Sequence, residues 1–312
     1  MIIRRMSEPV TTATAALPQG ALRLADWGLI RASGADAAKF LHGQLTQDVE
    51  HLPEGQARLA GYCSAKGRLL ATFVMWRAGS DILLACSADL LPTVLKRLSM
   101  FVLRAQCKLS DASAELPLWG VVGAPAGVAW SVSQAGDAQV VELPPALIDG
   151  RGVARRLHVG AEPAGMPSID TETWRWLEVA SGVPRIVAAT VEQFVPQMVN
   201  LELVGGVNFR KGCYPGQEIV ARSQYRGTLK RRAQAVLSPQ ALAPGQEIFH
   251  SGDPGQPAGM VVLSGSRSGA HAALVEVKLA ALEGGTLHAG AADGPLLQPT
   301  PLPYEIPADA AA

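Results

Sequence analysis

NFRKGCYPGQEIVARSQYRGTLKRR, residues 208–232, joins a single cysteine, a proline–glycine turn, a short helical pattern and a run of cations. Pro215 suits the first position of a helix, because its fixed φ is helical and its missing N–H would be unbonded there. Residues 217–221 can continue that helix, and Gly227 can end it in the left-handed conformation. Cys213 would then stand just before a helix N-terminus, where partial positive charge favours a thiolate. The alternative is a buried cysteine that fills a tight turn.

Residues 211–218 of this stretch, KGCYPGQE, resemble the K-G-C-Y-x-G-Q-E signature of the YgfZ-type folate-binding proteins. That family is related to the glycine-cleavage T-protein, an aminomethyltransferase, and to mitochondrial iron–sulfur assembly factors of eukaryotes. The resemblance extends to three further segments, which read GADAAKFLHGQLTQDV at 34–49, FVPQMVNLE at 194–202 and PLPYEIP at 301–307. It therefore covers most of the chain.

Length and composition indicate a chain of more than one domain. The 312 residues exceed one typical domain, so two or three are expected. Lys and Arg total 27 and Asp and Glu total 27, so any attraction for polyanions must come from local clusters of charge. No apolar run approaches the roughly 18 residues that a membrane span needs, and residues 1–20 lack the apolar segment of a secretory signal. We therefore expect a cytoplasmic protein with no membrane partner.

Cysteine and histidine usage predicts no metal centre. The four cysteines include no C-x-x-C pair, and the six histidines form no cluster at metal-ligand spacing. Cys86 and Cys107 stand in apolar or alternating stretches that are typical of core packing. We expect a protein that carries no metal or cluster of its own.

Periodicity in the sequence favours an α+β fold. Two strand–helix–strand passages with antiparallel hairpins argue against a doubly wound parallel sheet. Short alternating runs, separated by Pro and Gly, follow Lys230 and predict a small β-barrel. The family resemblance implies a three-domain ring of the T-protein type, with two α+β domains that have antiparallel sheets and a C-terminal β-barrel. The expected division is a discontinuous folate-binding domain at 20–48 with 117–228, a second α+β domain at 49–116, a barrel at 229–307, and disordered tails at 1–19 and 308–312.

Five cations and no acid lie between residues 222 and 232. Such a run is typical of a solvated face, and it can also form an anion site. The planar fork of arginine suits both the carboxylates of a folate tail and the phosphates of RNA. Five cations are too few to predict nucleic-acid binding on their own. They are Arg222, Arg226, Lys230, Arg231 and Arg232.

Trp27 and Trp174 are candidate platforms for a flat ligand. By pattern alone each is a core residue, because tryptophan on an apolar strand or helix packs inside more often than it holds a ligand. A pterin needs flat apolar faces for stacking and a few polar groups for orientation. In the YgfZ-type proteins two tryptophans are associated with folate binding, one in an Asp-Trp pair and one ten residues before a proline. Asp26-Trp27, and Trp174 with Pro184, match that pattern. The resemblance therefore implies that both tryptophans bind tetrahydrofolate or a derivative.

The resemblance also implies roles for the signature and for the helix that follows it. Cys213 is the candidate reactive group, and Lys211 is a second candidate catalytic residue. No metal ligand is expected among the site residues. The candidate folate-binding residues are Trp27, Trp174, Tyr214, Gln217, Glu218, Arg222 and Arg226.

The sequence departs from the T-protein pattern at residues 67–72, which read GRLLAT. The T-protein carries acidic residues shortly after the glycine of its first hairpin, and one of them is needed for aminomethyl transfer. Ala71 and Thr72 cannot act as ionised groups there. We therefore expect no aminomethyltransferase activity.

Three functions are consistent with these residues. We favour a tetrahydrofolate-binding accessory protein for the assembly or repair of iron–sulfur enzymes, including those that modify tRNA. The second is a folate-dependent one-carbon transferase or oxidase that uses Cys213, and the third is an RNA-binding module that uses the cations at 222–232. The expected partners are folate, iron–sulfur client enzymes and, indirectly, tRNA. The favoured function predicts that Trp27, Trp174 and Cys213 line one cavity.

Overall fold

The structure, a computed structural model, describes residues 16–123, 125–225 and 229–307. The strands within those ranges are β1 (Gly20–Arg23), β2 (Trp27–Ser33), β3 (Ala57–Cys63), β4 (Leu69–Ala78), β5 (Asp81–Ser87), β6 (Lys108–Asp111), β7 (Leu118–Val122), β8 (Val132–Ala135), β9 (Ala138–Ile148), β10 (Arg151–Val159), β11 (Arg231–Ser238), β12 (Glu247–His250), β13 (Asp253–Arg267), β14 (Ala270–Lys278), β15 (Leu287–Ala289) and β16 (Leu296–Thr300). The α-helices are α1 (Ala37–His42), α2 (Leu91–Met100), α3 (Thr171–Ala180) and α4 (Gln217–Tyr225), and 3₁₀ helices occupy Ala188–Thr190, Pro196–Val199 and Leu279–Leu282. None of the helices in the described ranges has the length and apolar character needed to cross a membrane.

The first sheet has the strand order β1–β7–β10–β9–β8, and all of its neighbouring pairs are antiparallel. Along β10 the buried positions alternate with more exposed ones, as expected for a strand whose one face covers a core. Arg155 occupies one of these inward positions, between Val153 and Leu157. The alternation thus carries a guanidinium into the interior, where it contributes to the site described below.

The second sheet has the strand order β3–β4–β5–β2–β6 and is also antiparallel. Strands β4 and β5 are buried along almost their whole length, which is the pattern of strands covered on both faces. Strand β2 hydrogen-bonds to β5 and β6. The expected division grouped residues 20–48 with 117–228, whereas this pairing puts 27–33 in the sheet with 57–111. The division into domains otherwise stays a prediction.

The C-terminal strands form a closed barrel in the order β11–β14–β13–β12–β15–β16, and pairing of β16 with β11 completes it. Its interior is a separate cluster of buried apolar side chains that includes Val236, Ile248 and Val275. Closure leaves no free strand edge in the barrel. The predicted α+β class with antiparallel sheets and a C-terminal barrel is confirmed.

Helix α3 packs directly against the barrel. Its N-terminus is capped by Asp170, whose Oδ1 accepts a hydrogen bond from the backbone N–H of Thr173 at 2.6 Å. A Cβ added to Gly265 of β13 would lie 2.2 Å from the backbone nitrogen of Trp176. Glycine therefore permits a contact between the barrel and the helix backbone that no larger residue would allow. This contact fixes the helix that carries Glu178 into the interior.

Residues 16–19 contact the folded part of the chain, although the sequence predicted a disordered segment at 1–19. The Arg267 Nη2 donates a hydrogen bond to the Ala16 carbonyl oxygen at 2.7 Å, and Leu17 packs against the main core. The prediction is therefore corrected for residues 16–19. Residues 1–15 and 308–312 of the predicted tails lie outside the described residues.

Candidate functional site

Lys211 binds the signature loop, residues 211–216, to the C-terminal end of α1. The Lys211 Nζ donates hydrogen bonds to the carbonyl oxygens of His42 and Leu45, the latter at 2.8 Å. A helix C-terminus carries partial negative charge, so an ammonium group is stabilised there. The same Nζ lies 5.0 Å from the centroid of the Tyr214 ring. Burial lowers the pKa of Lys211 to about 8, although the nearby Asp48 carboxylate opposes that shift.

A close backbone contact joins the signature loop to the turn between β3 and β4. Gly216 has a φ of +79°, and a Cβ added to it would lie 2.4 Å from the Ser64 carbonyl oxygen and 2.7 Å from the Gly67 Cα. Only glycine combines this dihedral angle with this approach. The prediction that Pro215 begins the helix is wrong, because the left-handed Gly216 separates it from α4, which begins at Gln217. The predicted stop, Gly227, lies outside the described residues.

We expect Gly216→Ala to lower the free energy of unfolding by about 1–3 kcal/mol, because it combines left-handed strain with a clash against backbone. Gly136→Ala is the matched control. Gly136 has a φ of +60°, and an added Cβ would meet nothing within 4 Å, so that variant tests the strain alone. Urea denaturation of both variants measures the difference. Equal losses would show that the loop contact contributes nothing.

Cys213 is exposed on this loop, so the structure decides against the buried-cysteine alternative. Tyr214, the next residue, is buried, and burial raises the pKa of its hydroxyl far above the usual value. Gln217 is half-buried, while Glu218 and Arg222 are exposed. Arg226, the last predicted folate-binding residue, lies outside the described residues. The signature therefore anchors itself through Lys211, Tyr214 and Gly216 and presents the cysteine to solvent.

Trp27 lines a narrow, mostly apolar slot between the two sheets. The slot has a volume of about 30 Å³, and Glu178 and Arg185 line both the slot and a wider outer cavity of about 470 Å³. The outer cavity reaches the barrel at Leu263 and Ser264. Its volume lies in the range of small-molecule sites. Its other lining residues are Ala25, Asp26, Ala88, Asp89, Arg175, Val187, Ala189 and Pro244.

A buried ion pair of Arg185 with Glu178 lines both the slot and the outer cavity. The Arg185 Nε donates to Glu178 Oε1 at 2.8 Å, and Nη2 donates to Glu178 Oε2 at 2.9 Å. The same guanidinium lies 3.2 Å from Asp26 Oδ2, donates to Ser87 Oγ at 2.8 Å, and lies 4.9 Å from the centroid of the Trp27 ring. Burial alone would lower the pKa of Arg185, but the carboxylates of Glu178 and Asp26 outweigh it and raise that pKa. The cavity wall is therefore charged, paired and fixed in orientation.

Two polar atoms at this place have no hydrogen-bond partner within the described ranges. They are Asp26 Oδ1 and the indole Nε1 of Trp27, and both are buried. An unsatisfied buried polar group costs about 1–3 kcal/mol. A ligand in the cavity that donates to the aspartate, or accepts from the indole, would remove that cost.

Trp174 is fully buried and does not line the slot. Its ring packs on Gly120, where an added Cβ would lie 2.6 Å from Cε3, and the Arg155 guanidinium lies 5.6 Å from its centroid. Arg155 does line the slot, and burial lowers its pKa to about 10. Trp174 therefore contacts the slot only indirectly, through Arg155. Cys213 is also absent from the residues that line the slot and the outer cavity, so the expectation that it shares one cavity with Trp27 and Trp174 does not hold.

Sequence reasoning did not identify Glu178 and Arg185 as site residues, and it did not predict that Asp26 lines the outer cavity. A signal for the first was present, because Glu178 falls one helical turn after Trp174 on an apolar stripe, and a carboxylate on a buried stripe needs a partner. The partner, Arg185, could not be chosen from several nearby cations. Sequence reasoning also treated the histidines as dispersed, whereas His42 and His51 meet at Asp48.

Two of the five cations in the basic run at 222–232 are paired with acids from distant segments. Arg231 is paired with the buried Glu276, and Arg232 is paired with Glu202. The Arg232 Nη1 also donates to the Gln197 carbonyl oxygen at 2.9 Å. The reading of this run as an anion site is therefore corrected for Arg231 and Arg232, which are structural. Within the described ranges, no group of three or more His, Cys, Asp or Glu side chains is arranged to hold a metal ion.

The C-terminal segment 301–304 contacts the loop 181–185. The Tyr304 hydroxyl donates to the Gly182 carbonyl oxygen at 2.8 Å and accepts from Asn200 Nδ2 at 3.3 Å. Its ring packs against Gly182, where an added Cβ would lie 2.7 Å from Cε1. Burial raises the pKa of Tyr304 to about 12, so the hydroxyl keeps its proton at neutral pH. Tyr304 thus holds the start of the loop whose next residues, 183–185, line the slot.

The two antiparallel sheets, the closed barrel and the cavity among them place this chain in the aminomethyltransferase fold class. It superposes on the glycine cleavage system aminomethyltransferase T from Bartonella henselae with a TM-score of 0.67, over 90% of this chain and 84% of that chain, at 14% identity. At that identity the likeness concerns the fold alone. No family model matches the chain.

Proteins that are similar in sequence identify the family within this fold class. The tRNA-modifying protein YgfZ of Serratia proteamaculans (strain 568) is 34% identical over 242 residues, which are 70% of this chain and 71% of that protein. The YgfZ proteins of Shigella boydii serotype 4 (strain Sb227) and Escherichia coli O7:K1 (strain IAI39 / ExPEC) are 33% and 32% identical over 236 residues, 70% of this chain and 72% of each. The chain belongs to the YgfZ family.

Proposed function

We propose that this chain binds tetrahydrofolate or a derivative in the outer cavity and serves tRNA modification, as an accessory protein for the assembly or repair of iron–sulfur enzymes. Two comparisons support a folate-related role in tRNA modification. The relatives are named tRNA-modifying proteins, and the fold is that of an aminomethyltransferase of the glycine cleavage system. The observation that carries the folate site is the cavity of about 470 Å³ lined by Asp26, whose buried Oδ1 has no hydrogen-bond partner within the described ranges.

The cavity groups suit the chemistry of a pterin. A pterin presents an N–H and an amino group along one edge, and carboxylate oxygens accept strong hydrogen bonds from such donors. Asp26 Oδ1 is free to accept one, and each oxygen of Glu178 keeps a lone pair beyond its bond to Arg185. The Arg175 guanidinium, 39% exposed at the cavity, suits a carboxylate of the folate tail.

The size of the inner slot limits where the ring can lie. A volume of about 30 Å³ holds no more than about one water molecule. The pterin therefore occupies the outer cavity, or it enters the slot together with a movement of the loop 181–185. Arg185, which lies over the Trp27 ring, lines both the slot and the outer cavity, whereas Trp174 lines neither.

The surroundings of the slot favour binding over one-carbon transfer. Thr72 stands in the segment where the T-protein pattern has acids, and its Oγ1 accepts a hydrogen bond from the Ile186 N–H at 3.1 Å. Of the three carboxylates that line the outer cavity, Glu178 and Asp26 are held by Arg185, and Asp89 accepts a hydrogen bond from the Ala188 N–H. Cys213 lines neither the slot nor the outer cavity, so a transferase mechanism through that thiol lacks support. We propose no aminomethyl transfer.

We expect tetrahydrofolate to quench the tryptophan fluorescence of this protein saturably, and Trp27→Ala to weaken binding at least about 10-fold, because the variant removes the aromatic ring of the slot on which Arg185, a residue of the cavity wall, lies. Trp119→Phe is the matched control. Trp119 is also half-buried and carries a cation–π contact, with Arg23, but it does not line the slot or the outer cavity. Titration of the three proteins gives the dissociation constants.

An absence of saturable quenching in the unmodified protein would overturn the folate site, and equal weakening by Trp119→Phe would remove Trp27 from it. The same variants test the cellular role. In cells that lack this protein, Trp27→Ala should restore the activity of iron–sulfur tRNA-modifying enzymes less well than Trp119→Phe. Full restoration by Trp27→Ala would separate folate binding from that role.

A further inference from the structure

Arg155 is a buried cation that forms no ion pair with any of the described residues. The residue is 3% exposed, and its Nε and Nη2 donate to one backbone oxygen, the Pro144 carbonyl, at 3.3 and 3.1 Å. The Glu178 carboxylate attracts the guanidinium, but it is paired with Arg185. A buried charge without a counter-ion is strongly destabilising. The neighbourhood of Arg155 therefore lacks one negative charge.

The slot that Arg155 lines contains hydrogen-bond donors that have no acceptor. Arg155 Nη1 makes no hydrogen bond with the described residues. The indole Nε1 of Trp27 is buried and has no partner there either. Thr72 Oγ1 accepts from the Ile186 N–H, and no acceptor for its own proton is found in the described ranges. All three side chains line the slot, so they favour an acceptor that carries negative charge.

The other polar groups of the slot wall are satisfied by one another. Both oxygens of Glu178 accept from Arg185, at 2.8 and 2.9 Å. The Arg185 guanidinium is balanced further by Asp26, at 3.2 Å. Ser181 Oγ donates to the Glu178 carbonyl oxygen at 2.7 Å and accepts from the Val183 N–H at 3.3 Å. The uncompensated charge in this wall is therefore that of Arg155.

The size of the slot limits the kind of anion. A volume of about 30 Å³ holds no more than about one water molecule, and a halide ion is of comparable size, whereas sulfate and organic anions are larger. We propose that the slot is an anion site that takes one halide ion, held by Arg155 Nη1, Trp27 Nε1 and the Thr72 hydroxyl. The ion balances the charge of Arg155 and accepts from all three donors, whereas a water molecule would leave that charge unbalanced.

Chloride is the probe, in an assay without folate, because the site goes beyond the proposed folate function and does not depend on it. We expect sodium chloride to raise the thermal midpoint of the unmodified protein saturably, by about 3 °C or more at about 0.3 M, relative to sodium gluconate at equal ionic strength. Gluconate is too large for the slot. Sodium bromide should act as chloride does, and crystals grown in bromide should show an anomalous peak beside Arg155 Nη1.

Arg155→Met should abolish the effect of chloride. In gluconate its thermal midpoint should equal or exceed that of the unmodified protein, because an apolar side chain of similar length replaces an uncompensated charge. Arg156→Met is the matched control, since Arg156 follows on the other face of β10, pairs with Glu142 and does not line the slot. It should keep the full chloride effect. Trp27→Phe keeps the ring but removes the N–H, and it should raise the chloride concentration at half effect at least about 3-fold.

Equal midpoints of the unmodified protein in chloride and gluconate would overturn the anion site. An anomalous peak confined to the protein surface would do the same. A full chloride effect in Arg155→Met, or a lower midpoint of that variant in gluconate, would overturn the role of Arg155 as an uncompensated charge. Should Arg155→Met fail to fold, Trp27→Phe decides, because an unchanged half-effect concentration in that variant would also contradict the site.

Discussion

Arg185→Ala should lower the free energy of unfolding by about 3–5 kcal/mol and remove detectable tetrahydrofolate binding, because it leaves the buried Glu178 carboxylate without its partner. The Arg185 guanidinium also pairs with Asp26 and covers the Trp27 ring. Its loss therefore leaves two cavity carboxylates without their cation and the Trp27 ring without its cover. Urea denaturation gives the stability, and fluorescence titration of the folded fraction gives the affinity.

Arg175→Ala is the control for Arg185→Ala. Arg175 lines the same cavity and pairs with Asp26 and Glu172, but it is 39% exposed, so its loss should cost no more than about 1 kcal/mol. Arg185→Lys keeps the charge and loses the two parallel bonds to Glu178, and it should fall between the other two variants. A loss below about 1 kcal/mol for Arg185→Ala would contradict the central position that we assign to this ion pair.

Arg232→Ala should also cost about 3–5 kcal/mol, because Arg232 and Glu202 are both buried and the variant strands the carboxylate. Burial already raises the pKa of Glu202 despite the arginine beside it. Arg232 is the second residue of β11 and donates a hydrogen bond to the Gln197 carbonyl oxygen. The variant therefore removes contacts at the junction of the barrel with the preceding segment. Thermal and urea denaturation measure it.

Arg222→Ala is the comparison for Arg232→Ala, since Arg222 is exposed and its loss should change stability by no more than about 0.5 kcal/mol. The pair of variants also decides what the basic run does. An RNA-binding run would make both variants weaken tRNA affinity without unfolding the protein. Stability loss confined to Arg232→Ala, with no change in tRNA affinity in Arg222→Ala, is the result that our structure predicts.

The parts of the fold that depend on local pattern could be predicted from the sequence. The alternating runs after Lys230 predicted the barrel strands. Trp27 was identified through the family resemblance, and the structure places it at the slot. Each of these features depends on residues that are close in sequence or on a motif that can be matched directly.

The rest depends on contacts between distant segments, which a single sequence does not specify. The basic run seemed unpaired because its acids, Glu202 and Glu276, stand 30 and 45 residues away. Lys211 was expected to be catalytic because it stands in a motif, yet it binds carbonyl oxygens 166 and 169 residues earlier. Cys213 and Trp27 were expected to share a cavity because the family resemblance implies that both belong to the folate site, through two separate segments, 211–218 and 26–27. In the structure Cys213 is exposed on the signature loop, whose Gly216 contacts the β3–β4 turn, whereas Trp27 lines the slot.

The bond between Tyr304 and Gly182 ties the segment 301–304 to the loop 181–185. Because residues 183–185 of that loop line the slot, truncation of the protein before Tyr304 would leave one wall of the slot without this support.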